Sequence, residues 1–153
     1  MKKRNVILSG LFLVGVVFVG SSLYASEDIE SYIKGNHIKA IHAMGIEMKA
    51  QNLENMATIT DENGKKWIFN EFTNRTALIE TMREKYEEDV AGPFISIHDE
   101  IMQQYAKPGD SIPTILLDET LKEGYFAFIR QDGEALSFKI KYDNGSWEYK
   151  LEK

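Results

Sequence analysis

Leu136, Phe138, Ile140 and Tyr142 alternate with Ser137, Lys139 and Lys141. A period of two puts apolar side chains on one face of a strand and polar ones on the other. Trp147, Tyr149 and Leu151 repeat the pattern against Glu148 and Lys150. Between the two runs, Asp143-Asn144-Gly145 signals a hairpin, because Asn-Gly accepts positive φ at both central turn positions. Residues 125–130 are apolar on both faces and bounded by Gly124 and Asp132-Gly133, which predicts a strand buried on both sides. Residues 112–118 read as a further strand, with Pro113 near the start, where a missing N–H is tolerated. Four strands with short turns predict an antiparallel meander, whose apolar face must be covered by earlier parts of the chain.

Those earlier parts show helical spacing. Across residues 27–51, Ile29, Ile33, His37, Ala40, Ile41, Met44 and Met48 fall near one stripe. Glu27, Asp28 and Glu30 suit the first turn, and Gly35 and Gly45 weaken the helix. Residues 53–59 read as a short second helix, Asp61-Glu62-Asn63-Gly64 as a turn and residues 67–72 as a strand. Thr73 or Asn74 is the expected cap of a third helix reaching about Val90, with Leu78, Ile79, Met82, Tyr86 and Val90 inward and Gly92-Pro93 as its end. Residues 94–106 support two readings. With period two, Ile95, Ile97, Asp99, Ile101, Gln103 and Tyr105 share a face. With a helical period, Phe94, Ile97, His98, Ile101, Met102 and Tyr105 do.

The N-terminus changes the picture. Lys2-Lys3-Arg4 precedes an almost wholly apolar run from Val6 to Val19, and then Gly20-Ser21-Ser22-Leu23-Tyr24-Ala25. Basic, apolar, then small residues form a secretory signal, with cleavage expected after Ala25. The alternative is an uncleaved anchor: residues 5–26 carry no charge and as a helix would be ~33 Å long. Either way residues 26–153 form one domain outside the cytoplasmic membrane. That body carries 15 basic against 24 acidic groups, a formal −9, which disfavours nonspecific nucleic-acid binding and attraction to anionic membrane surfaces. Membrane contact is expected only through residues 5–25. The absence of cysteine excludes disulfides, thiolate metal sites, a cysteine nucleophile and a cysteine-linked lipid anchor.

The order of long helix, short helix, strand, capped helix and closing meander, ending in Asn144-Gly145-Ser146-Trp147-Glu148-Tyr149-Lys150, resembles the nuclear transport factor 2-like, or cystatin-like, superfamily over residues 27–151. The resemblance implies an α+β fold in which N-terminal helices pack on a curved antiparallel C-terminal meander, cone-like, with a cavity. Pocket enzymes, ligand binders and envelope assembly modules all use that fold, so it does not choose among functions.

Candidate chemistry is sparse. His37 and His42 lie five apart and so diverge by about 140° around a helix, too far to chelate one metal from one face. In a strand, His98 and Glu100 point away from Asp99. No metal or cofactor is expected. No Gly-x-Ser-x-Gly, phosphate-binding glycine loop or His-Glu-x-x-His occurs. Asn74-Arg75-Thr76 and Asn144-Gly145-Ser146 match the glycosylation sequon, which matters only in a eukaryotic secretory route. Asp99 is the one candidate catalytic residue. On an apolar strand face it would be desolvated and suited to act as a base, as an Asp does in the ketosteroid isomerase of the resembled superfamily. Tyr105, Tyr125 and Trp147 are the candidate ligand contacts, although Phe126, Phe128, Trp147 and Tyr149 also read as core. The first functional reading is an exported, non-catalytic binding or accessory module of the cell envelope, taking a protein partner or small apolar ligand on the concave side of its sheet. The alternatives are a small isomerase- or hydratase-type pocket enzyme with Asp99 as base, and an acidic inhibitor or immunity-type protein.

Overall fold

A computed structural model describes residues 26–48 and 53–152; the expected export segment, residues 1–25, lies outside them. Helix α1 (Ser26–Ala43) leads into β1 (Thr58–Thr60) and β2 (Lys66–Glu71). A 3-10 turn (Phe72–Asn74), α2 (Thr76–Tyr86) and α3 (Glu88–Tyr105) follow. The chain closes with β3 (Thr114–Asp118), β4 (Glu123–Ile129), β5 (Ala135–Asp143) and β6 (Ser146–Leu151). The six strands form one open sheet in chain order, and every pair is antiparallel. The protein is therefore α+β, with three helices packed on an antiparallel meander.

The predicted alternation sorts the layers. On one face, Ile115, Leu117, Phe126, Phe128, Phe138, Ile140 and Trp147 pack with Leu78, Met82, Phe94 and Ile101 of α2 and α3. On the other, Phe69, Leu116, Ala127 and Ile129 pack with Ala40 and Ile41 of α1. The doubly apolar β4 is thus covered from both sides, as its sequence requires. Burial of such side chains is the main favourable term, about 1.5–3 kcal/mol for each large one. At the last hairpin, Asn144 and Gly145 take φ of 50° and 86°. Both are positive, the signature of a type I′ turn.

Four expectations are corrected. The first helix ends at Ala43 rather than near Gln51, in a turn where Gly45 has φ 78°; residues 49–51 lie outside the described part. Residues 53–59 are not helical. Met56 N–H donates to Phe69 O at 2.8 Å and Phe69 N–H to Ala57 O at 2.9 Å, so the edge of β2 takes this segment into the sheet and forms β1. Neither Thr73 nor Asn74 caps α2. The Thr73 hydroxyl donates to Glu71, the Asn74 carbonyl accepts from Asn55 and Asn70, and Arg75 stands at the N-cap with no side-chain cap bond. Gly92-Pro93 does not end a helix but lies inside α3; the break comes earlier, at Glu87. Residues 94–105 are accordingly helix. Phe94, Ile97, His98, Ile101 and Met102 are buried, which is the face the helical period predicts.

Candidate functional site

Because residues 94–105 are helical, Asp99 does not share a face with Ile97 and Ile101. Its side chain is 40% exposed and its Oδ1 lies 3.6 Å from Nη2 of Arg75, just ahead of α2. The desolvated placement on which a base role depended is not the one it occupies. The candidate ligand contacts do not converge on it. Tyr105 closes α3, half-buried, with its ring 4.8 Å from Phe138. Trp147 is buried on the same face of the sheet, 4.8 Å from Phe94. Tyr125 lies on the opposite face, against Trp67 at 5.7 Å.

The residue next to Asp99 is more unusual. His98 is fully buried, with ring centroids of Phe94, Phe126 and Phe72 at 4.0, 5.0 and 6.0 Å. Neither of its nitrogens has a hydrogen-bond partner. Burial, and secondarily the Arg75 cation, hold its pKa well below the ordinary 6.5, so the imidazole is neutral. Arg75 stacks over Phe72 at 4.3 Å, and its Nη1 is likewise buried without a partner. Leaving buried polar groups unpaired costs about 1–3 kcal/mol each. A neutral imidazole beside a guanidinium offers one donor, one acceptor and a fixed positive charge, enclosed by aromatic rings. In the sequence His98 stands beside Asp99 and Glu100, a grouping that makes no site because the three diverge in a strand; on the helix it lies on the buried face instead.

A second polar group ties α1 to the sheet. His37, 3% exposed, has Nδ1 2.7 Å from Thr114 Oγ1 and Nε2 3.3 Å from Glu71 Oε2. A carboxylate only accepts, so Nε2 donates to Glu71, and Nδ1 shares the other hydrogen bond with the Thr114 hydroxyl. The hydrogen bond from His37 lowers the Glu71 pKa against the opposing effect of its own burial, and the Thr73 hydroxyl reinforces the lowering. The order hydroxyl, imidazole, carboxylate is that of a nucleophilic triad. Thr114, however, has no exposed surface, so its oxygen has no approach for a substrate. The arrangement fastens α1 across β2 and β3. His37 is thus buried and His42 exposed, on the diverging directions that their spacing implies. The sequence signal for this tie is the coincidence of His37 on the α1 stripe with a threonine on the strand face that meets it.

Among the described residues, no group of three or more acidic or histidine side chains is placed to hold a metal ion, and no helix is long and apolar enough to cross a membrane. Comparison with known proteins finds no matching family model, no matching curated protein and no matching solved structure.

Proposed function

We propose that this chain is an exported binding or accessory module of the cell envelope that performs no reaction of its own. The observation that carries this reading is how the candidate base Asp99 and the triad-like histidine His37 are engaged. Asp99 is paired with Arg75 at the surface, and His37 is locked between Thr114 and Glu71. Both faces of the sheet are filled by the protein's own helices, which directs partner binding to the outer surface rather than to the concave side. The basic, apolar and small-residue succession of residues 2–25 supplies the extracytoplasmic setting. The helix and strand order supports kinship with the nuclear transport factor 2-like superfamily. Placing α1 on the face opposite α2 and α3 leaves less room for the cavity that kinship implies.

The test is fractionation of producing cells, with the intact mass of the recovered protein. The expected result is recovery outside the cytoplasmic membrane, either cut after Ala25 or retained by residues 5–25. Recovery from the cytosol with Met1 in place would refute the reading. A pocket enzyme is the second reading, favoured by the unpartnered His98 nitrogens beside Arg75. It requires a small ligand whose thermal stabilisation of the protein disappears in both Asp99→Ala and His98→Phe.

A further inference from the structure

β6 forms one edge of the open sheet, and among the described residues it pairs with β5 alone. Its phase fixes which backbone groups remain free. The two-residue turn makes Asp143 and Ser146 a hydrogen-bonded pair, and bonded and non-bonded pairs alternate from there. Ser146, Glu148 and Lys150 therefore turn their N–H and C=O toward β5; the donation from Glu152 N–H to Ser137 O at 2.8 Å keeps the same phase. Trp147, Tyr149 and Leu151 present theirs outward. No proline, glycine or bulge interrupts this edge. The opposite edge, β1, is only three residues long. An unblunted edge is a template for strand addition.

We propose that β6 pairs antiparallel with β6 of a second copy of this chain, about a two-fold axis at Tyr149, joining two six-stranded sheets into one. An isologous contact must pair each residue reciprocally. Centring on Tyr149 brings all three outward residues into bonded pairs: Tyr149 with the partner's Tyr149, and Trp147 and Leu151 with the partner's Leu151 and Trp147. Side-chain chemistry selects the same register. Glu148 then faces the partner's Lys150, and Lys150 the partner's Glu148, on the face where both are exposed. Within one copy Lys150 stands opposite Lys139, a like charge, and reaches Glu152 at 3.6 Å; an acidic residue on its free side adds a second opposite charge. Leu151, 42% exposed, gains the partner's Trp147 as cover. The adjacent two-fold registers, centred on Glu148 or on Lys150, oppose Glu148 to Glu148 or Lys150 to Lys150. Tyr149 donates its hydroxyl to Glu100 or Gln104 of its own α3, each 3.1 Å away, which draws the ring inward from the strand's rim. This pairing is independent of the proposed function.

Sedimentation velocity of the whole chain tests it. The wild type is expected to be a dimer. Glu148→Lys sets lysines against each other at both ends of the contact, and Lys150→Glu does the same with glutamates. Each is expected to weaken self-association about tenfold or more. The double variant, Glu148→Lys with Lys150→Glu, restores opposite charges and the dimer. An equimolar mixture of the two single variants forms a mixed dimer, since each copy then contributes one sign. These positions are exposed, and circular dichroism verifies that each variant is folded. A monomeric wild type, or a dimer indifferent to these exchanges (as one held by residues 5–25 would be), overturns the proposal.

Discussion

Trp147 donates its indole N–H to the main-chain carbonyl of Val90 at 3.0 Å, across 57 residues of chain. The neighbouring carbonyl, that of Asp89, accepts from the Tyr142 hydroxyl at 3.2 Å. The second of these bonds becomes intelligible through Pro93. A proline inside a helix cannot donate to the carbonyl four residues back, here Asp89. Tyr142 of β5 supplies a donor in its place, so the most disruptive residue of α3 lies where the sheet can compensate for it.

Trp147→Phe keeps a ring against Phe94 but removes the indole donor. The Val90 carbonyl then loses a buried partner, and the expected cost is about 1–2 kcal/mol. Trp147→Ala also leaves a cavity and should cost about 3–5 kcal/mol. Urea unfolding followed by circular dichroism reads both, since the tryptophan itself no longer serves as the probe. Equal losses in the two variants would show that the donor, not the ring, is what matters at this position.

Glu87, the elbow between α2 and α3, has φ 58° and ψ −154°. This backbone region is nearly closed to residues with a Cβ and costs on the order of 1–3 kcal/mol. Its side chain is exposed, and its N–H donates to Arg83 O at 2.8 Å, a bond any residue other than proline can make. Glu87→Gly is expected to stabilise the protein by about 1 kcal/mol, seen as a rise in Tm of roughly 3 °C. No change in Tm would mean that the strain is relieved elsewhere.

These two sites also show what the sequence discloses and what it hides. The meander was legible because period-two alternation and Asn144-Gly145 are local signals, and β3 to β6 fall within two residues of their predicted bounds. Residues 94–105 were legible only as a choice, since Ile97 and Ile101 suit a strand or a helix. The elbow was misread because Gly92-Pro93 is strong punctuation and Glu87 is none; the hairpin that tolerates Pro93 lies some fifty residues downstream. β1 is too short to carry a period. The His37 tie joins residues 34 and 77 positions apart, a pairing that only the sheet register creates.

Gly124 is required by close approach rather than by its backbone angle. A Cβ built there lies 1.9 Å from the carbonyl oxygen of Leu116, on the adjacent strand β3. Main chain cannot give way as a flexible side chain can, so Gly124→Ala should force β3 and β4 apart. The expected loss is about 3 kcal/mol or more, with failure to accumulate as soluble protein at the severe end. Gly133→Ala is the control for composition, because its Cβ meets nothing within 4 Å. That substitution pays only for positive φ, about 1 kcal/mol. A Gly124→Ala loss no larger than the control's would show that the strands separate freely there.

Acid should weaken the fold in two windows. His98 is held neutral in the folded state, its pKa well below 6.5, first by burial and then by Arg75. The unfolded chain therefore binds one more proton than the folded chain once the pH drops below about 6.5. Stability present above that pH falls by at most ~1.4 kcal/mol per unit until the folded pKa is passed. The groups facing the ring are Arg75 and, through it, Asp99; the remaining neighbours Phe72, Phe94 and Phe126 are uncharged. Glu71 acts lower. Its folded pKa lies below the ordinary 4.5, so its contribution is complete above 4.5 and is lost as the pH falls through the folded value. His98→Phe, which suits the aromatic surroundings, should flatten the upper window and leave the lower one in place. The measurement is the urea midpoint of wild type and variant between pH 7 and pH 3. Parallel curves between pH 6.5 and 5 would show that His98 takes up its proton without unfolding, and that the buried ring finds a partner when charged.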